Sequence, residues 1–156
     1  MIYFAYGPDL NPGQMMQRSP GHRSLGVARL ADHWISFPRF SPSDRSATIS
    51  IVDNPAGVVW GALYDVPEED VPILNHVHGC DPEGPPNLNE HVAREVSVQP
   101  LGHTQPVVAT TYVAVPDDRK ALPSAAYMNL ILDGAHYHGL PRAYMAALQA
   151  VRTAPA

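Results

Sequence analysis

The sequence predicts an α+β fold, with a curved antiparallel or mixed sheet and helices packed on one side of it. Three observations predict it. Runs rich in β-branched and aromatic residues fill the first two-thirds of the chain, whereas the two clearest helical segments stand at its end. The chain has 156 residues, 45% of them apolar and only 16% charged, enough to bury a core without staples. No internal repeat and no linker divides it, so one domain over residues 1–156 is expected.

The elements follow in order. "IYFAY" is a short β-rich run stopped by Gly7-Pro8-Asp9, a strand and a turn. "NPGQMMQRS" suits a short helix, with Asn11 as N-cap and Pro12 in its first position. "SLGVARLADHWISFPRF" has no helical period and reads as one or two strands; "SPSDRS" reads as a loop. "ATISIVDN" alternates as a strand, "NPAG" reads as a turn, and "VVWGALYDV" is apolar enough for a strand covered on both faces. "PEEDVPILNHVHG" has Pro67 near a helix start, acids in the first turn and Gly79 at the stop. Val71, Leu74 and His78 fall on one face of it, and Pro72 is tolerable if the helix begins there. The acids at 68–70 read as a solvated first turn. "CDPEGPPNLNE" is a loop, and "HVAREVSVQPL" and "PVVATTYVAV" form a hairpin about "GHTQ". "SAAYMNLILDGAHYHG" is the best helix, capped by Ser124 and ended by Gly139, with Tyr127, Leu130, Ile131, Gly134, Ala135 and His138 as its apolar stripe. Pro141 opens a last helix.

Composition narrows the function. A formal net charge of −5 offers no basic excess to displace counterions from a nucleic acid, so none is expected as partner. Cys80 is the sole cysteine, which rules out an internal disulfide and makes a cytoplasmic location the default. No apolar run approaches the roughly 20 residues that span a bilayer, and "MIYFAYGPDL" lacks the layout of a signal peptide, so no membrane partner is expected. The seventeen prolines are scattered and punctuate turns. His76-x-His78 and His136-x-His138 invite a metal, but i and i+2 diverge on a helix, and none is expected.

Four stretches, in order and with consistent spacing, carry a resemblance: "YFAYGPDL", "VVWGALYDV", "LNHVHG" and "PSAAYMNLILDGAHYHGLPRAY". Together they resemble the gamma-glutamylcyclotransferase-like family, whose patterns are Tyr-Gly-Ser-Asn/Asp-Leu, Val-Trp-Gly-x-x-Tyr, Leu-Asp-x-x-Glu-Gly and Pro-Ser-x-x-Tyr followed by Gly-Ala-x-x-x-Gly-Leu-Pro-x-x-Tyr. The resemblance implies a small mixed β-barrel with flanking helices. It also implies an enzyme acting on a small gamma-glutamyl or related amino-acyl amide, without metal or organic cofactor. In such a reaction the substrate's alpha-amine attacks its own gamma-carbonyl and releases 5-oxoproline and a free amine. The loop at Tyr6, Gly7, Pro8, Asp9 and Leu10 would cradle the glutamyl group with backbone N–H groups. Tyr112 and Tyr127 match family tyrosines near the substrate, with a core tyrosine as the other reading of each. His91 matches a family tyrosine and either lines the same pocket or sits on a strand edge. The oligomeric state is left open.

Two departures fall on the chemistry. Where the family keeps its proton-carrying glutamate this chain has His78, with Asn75 in place of the preceding aspartate; and the loop serine is Pro8, which has no N–H to offer. An imidazole with an ordinary pKa of about 6.5 can take and return a proton, but lacks the charge that attracts an ammonium. Three readings follow: His78 is the acid/base; Glu83 in the next loop serves as surrogate carboxylate; or the chain is a catalytically inactive member that binds a small anionic metabolite. Cys80, two residues from His78 at a helix end, is poorly placed as a nucleophile.

Overall fold

The computed structural model describes all residues, 1–156. Five strands close into a barrel in the order β1-β3-β2-β4-β5. They are β1 (Ile2–Ala5), β2 (Arg23–Ser41), β3 (Ser46–Asp65), β4 (His91–Pro100) and β5 (Val107–Ala114). Neighbours pair antiparallel, except that β5 lies parallel to β1 at Tyr3 and Thr110, which closes the ring and makes the sheet mixed. Thr111 supports that seam by donating its hydroxyl to the Phe4 carbonyl at 2.7 Å. The small mixed barrel expected from the resemblance is therefore what the chain forms.

The residues read as two strands around "NPAG" are one strand of 20 residues. Ala31 pairs with Val58 and His33 with Asp53, so residues 54–57 bulge out opposite Asp32 alone, which takes φ 63°. The turn chemistry of Asn54-Pro55-Ala56-Gly57 is spent on a bulge, and the chain continues in the same direction. The predicted loop at "SPSDRS" shrinks likewise, to residues 42–45 between β2 and β3. β4 and β5 form the expected hairpin.

The helices are α1 (Pro12–Arg18), α2 (Val71–Val77), α3 (Ala125–His138) and α4 (Arg142–Gln149), with short 3-10 turns at Pro8–Leu10, Glu68–Asp70 and Pro86–Leu88. Asn11 Oδ1 accepts from the N–H groups of Gly13 and Gln14 at 3.1 and 3.3 Å, and Ser124 Oγ from that of Tyr127 at 3.0 Å, so both predicted caps form. α2 starts one residue before Pro72, whose missing N–H is then harmless. Two expectations are corrected. Asp70 is buried and accepts from Ser19 Oγ at 2.7 Å and Gly21 N at 3.2 Å, tying the end of α1 to the start of α2, so that acid is not part of a solvated turn. In α3 the buried side includes Met128, while Leu130 faces outward, because the helix meets the core along Tyr127, Met128, Ile131, Gly134 and Ala135.

α3 also positions the loop after β1. A Cβ on Gly134 would lie 2.3 Å from the backbone carbon of Leu10, so only glycine lets the helix axis come this close. Leu10 itself is fully buried beneath the loop, part of a continuous core with Phe4, Met15, Leu74, Ile131 and Leu148. No helix is long and apolar enough to cross a membrane.

Candidate active site

The loop after β1, the end of α2, the start of β4, the middle of β5 and the first turn of α3 converge on a cavity of about 390 Å³. Its lining contains Tyr6, Gly7, Pro8 and Asp9 from the loop, and His78, His91, Tyr112 and Tyr127 from the other elements. The sequence thus assembled most of the pocket from segments up to 121 residues apart (Tyr6 to Tyr127).

His78 owes its place to how α2 stops. Cys80 N donates to the Asn75 carbonyl at 2.8 Å and Gly79 N to that of His76 at 3.0 Å, a Schellman motif with Gly79 at φ 58°. The motif leaves His78 as the last residue before the reversal, with its ring turned in towards the loop. Its Nε2 lies 3.3 Å from Tyr3 Oη and 3.3 Å from Asp9 Oδ2. The ring packs edge-on against Tyr112, with centroids 4.1 Å apart. Burial, reinforced by the His91 ring and the Arg18 guanidinium, holds the imidazole well below its ordinary pKa, so it is neutral at pH 7.

Asp9 is only 2% exposed and is ringed by partners. Arg18 Nη1 donates to its Oδ1 at 2.8 Å and Tyr3 Oη to its Oδ2 at 2.6 Å. Burial pushes the carboxyl above the usual carboxylate range, while the Arg18 pair and the Tyr3 bond pull the other way. The hydroxyls of the other tyrosines are engaged in the wall. Tyr112 Oη donates to Asn75 Oδ1 at 2.6 Å, Tyr6 Oη to the Tyr112 carbonyl, and Tyr127 Oη accepts from Ile49 N at 2.9 Å. His91 Nδ1 lies 3.0 Å from the His78 carbonyl, which can only accept, so that nitrogen carries the proton. Burial lowers the His91 pKa as well.

Two residues named from the sequence lie outside the cavity. Leu10 is core. Glu83 is exposed in a turn whose backbone is fixed by Asp81 and Asn89: Glu83 N donates to Asp81 Oδ1, and Asn89 bonds Asp81 in both directions. Cys80 is buried. Conversely, Tyr3, Arg18, Asp44 and Glu90 line the cavity and were not foreseen. Arg18 is the single charged residue of α1, which was the available hint; Glu90 directly precedes His91. Asp44 gave no sign, because only the closing of β2 onto β3 carries its turn to the cavity.

The AIG2-like family model matches residues 58–148, more than half of the chain. Gamma-glutamylcyclotransferase of Mus musculus is 27% identical over 154 residues, 96% of this chain and 78% of that protein; the Homo sapiens enzyme is 26% identical with the same coverage. A solved structure of a gamma-glutamyl cyclotransferase superposes with a TM-score of 0.88 at 24% identity, covering 100% of this chain and 90% of the other. Likeness of fold is thus accompanied by likeness of sequence, and the chain belongs to the AIG2-like, gamma-glutamylcyclotransferase-like family.

Proposed function

We propose that the chain cyclises a small gamma-glutamyl amide, or a closely related amino-acyl amide, with His78 as the proton carrier. The observation that supports this most is that His78 and the loop at 6–9 line one cavity, with the imidazole within reach of Asp9. A volume of about 390 Å³ suits a dipeptide-sized amide.

The steps balance without any added reactant. The alpha-amine, once neutral, attacks the gamma-carbonyl carbon and forms the ring C–N bond. His78 takes the proton that the attacking nitrogen sheds and delivers one to the leaving nitrogen as the original amide C–N bond breaks. The products are 5-oxoproline and a free amine. Backbone N–H groups of the loop, which Pro8 cannot supplement, would face the developing oxyanion. Holding amine and carbonyl in one pocket recruits the advantage of an intramolecular reaction. The carboxylates of Asp44 and Glu90 line the same cavity and suit the incoming alpha-ammonium, supplying attraction that a neutral imidazole does not. The same two acids weigh against the reading of an inert pocket for an anionic metabolite.

The test is mass-spectrometric detection of 5-oxoproline from a panel of gamma-glutamyl amides. Turnover by the natural chain that falls by about 10²-fold or more in His78→Ala is expected. Equal turnover in the two, or none in either, overturns the reading.

A further inference from the structure

We propose that Asp9 is a positioning residue for His78: its carboxylate fixes the imidazole proton on Nε2 and stabilises the ring once protonated, so that Nδ1 is the basic nitrogen. The inference rests on the cyclotransferase reading for its use in catalysis, but on geometry alone for the tautomer.

The geometry is that of donors and acceptors. Nε2 faces two oxygens, Asp9 Oδ2 and Tyr3 Oη, each 3.3 Å away. Tyr3 has one proton, and it lies on the shorter 2.6 Å bond to Asp9. Both oxygens therefore turn lone pairs towards Nε2, and only an N–H there satisfies them. A ring protonated on Nδ1 instead would set three lone-pair atoms against one another in a buried site. Arg18 completes the arrangement by holding the other carboxylate oxygen at 2.8 Å, which fixes the rotation of Asp9. The charge that the family's glutamate would bring on the helix is here one hydrogen bond behind the imidazole, on the loop.

The other groups facing the ring do not supply this. His91 and Arg18 both disfavour the imidazolium, Tyr112 meets it edge-on, and Glu90 borders the same cavity from the start of β4. Asp9 is the carboxylate within reach of Nε2, and it offsets the guanidinium beside it. It acts on the reaction through the imidazole, as an orienting carboxylate does in a catalytic dyad.

The substitution Asp9→Asn separates shape from charge. Arg18 would claim the amide oxygen, which turns the amide NH2 towards Nε2. The ring must then accept there, so its proton moves to Nδ1. Imidazole nitrogen and carbon NMR of the full chain, assigned by loss of the signal in His78→Gln, reads this without substrate. The expected results are an Nε2–H tautomer in the natural chain and an Nδ1–H tautomer in Asp9→Asn. The His78 midpoint should also fall by about one pH unit in that variant. Turnover of a gamma-glutamyl amide should fall about 10²-fold in kcat with little change in KM. An Nδ1–H tautomer in the natural chain overturns the proposal without any variant having to fold. An unchanged tautomer and midpoint in Asp9→Asn overturn it as well. The double variant Asp9→Asn with Arg18→Gln removes the bare guanidinium: a midpoint still below that of the natural chain supports Asp9, whereas full recovery assigns the shift to Arg18 and overturns it. Absence of turnover in the natural chain counts against the cyclotransferase reading alone, and the NMR result decides Asp9 on its own.

Discussion

His78 and His138 end their helices in the same way and hold the same loop between them. Each is followed by a glycine in the left-handed region, Gly79 at φ 58° and Gly139 at φ 67°. Each has a Schellman closure, Cys80 N to the Asn75 carbonyl and Leu140 N to the Ala135 carbonyl. His78 Nε2 points at Asp9 and His138 Nε2 at the Leu10 carbonyl, 3.0 Å away. Tyr64 joins them, with its hydroxyl donating to the Asp9 carbonyl and lying 3.0 Å from His138 Nε2. The loop that borders the cavity is thus held by two helix ends and a barrel strand, in addition to the backbone bonds of its own turn, Leu10 N to the Gly7 carbonyl and Asn11 N to the Pro8 carbonyl.

Stability should decline on mild acidification. Burial holds His78, His91 and His138 below the ordinary value of 6.5 in the folded chain. In the window between each lowered value and 6.5 the unfolded chain binds more protons, so stability is lost as pH falls through it. Asp9, raised above 3.8 by burial, acts in the opposite sense at lower pH. Tm measured from pH 7.5 to 5 should fall, and His138→Gln should flatten that fall; a Tm independent of pH over this range would contradict the assignment.

Gly134→Ala should destabilise the fold and loosen the loop together. The new methyl would meet the backbone of Leu10 and Asn11 at 2.3 and 2.5 Å, and backbone yields less readily than a side chain. A loss of about 3 kcal/mol is expected in urea unfolding. A loss below about 0.5 kcal/mol would mean that α3 does not press on the loop as described.

The two carboxylates near the end of α2 should behave differently. Glu83→Gln is expected to leave turnover unchanged, because Glu83 is exposed and does not line the cavity. Glu90→Gln should raise KM for an amine-bearing substrate by about tenfold with a smaller effect on kcat, because Glu90 borders the cavity. Steady-state kinetics of the two variants side by side checks both, and the reverse ranking would restore Glu83.

His78→Glu should not simply convert the site to the family pattern. The new carboxylate would lie beside Asp9, and two like charges in a buried site cannot both ionise freely. Adding Asp9→Asn should relieve this. A double-mutant cycle in chemical denaturation is expected to give favourable coupling of about 1 kcal/mol or more. Additive effects would place the two side chains further apart than 3.3 Å between Asp9 and the ring implies.

The sequence by itself determined the elements that rest on local chemistry. Asn11 and Ser124 as caps, Pro12 and Pro72 in first turns, Gly79 and Gly139 at helix ends, and the hairpin about "GHTQ" each follow from interactions spanning a few residues, so they are legible in a short window. The stretch "LNHVHG" singled out His78 through a resemblance, and the fold sets that residue at the end of α2 on the cavity wall. Tertiary structure alone decided the rest. Whether "NPAG" reverses the chain or bulges from it depends on the partner strand that β2 presents, and whether Asp70 is wet depends on Ser19 and Gly21 arriving from α1. The partners of His78 were hidden for the same reason. Asp9 looks like part of a substrate cradle until β1 brings Tyr3 and α1 brings Arg18 against it, and no periodicity in a chain encodes a contact between elements that meet only when the barrel closes.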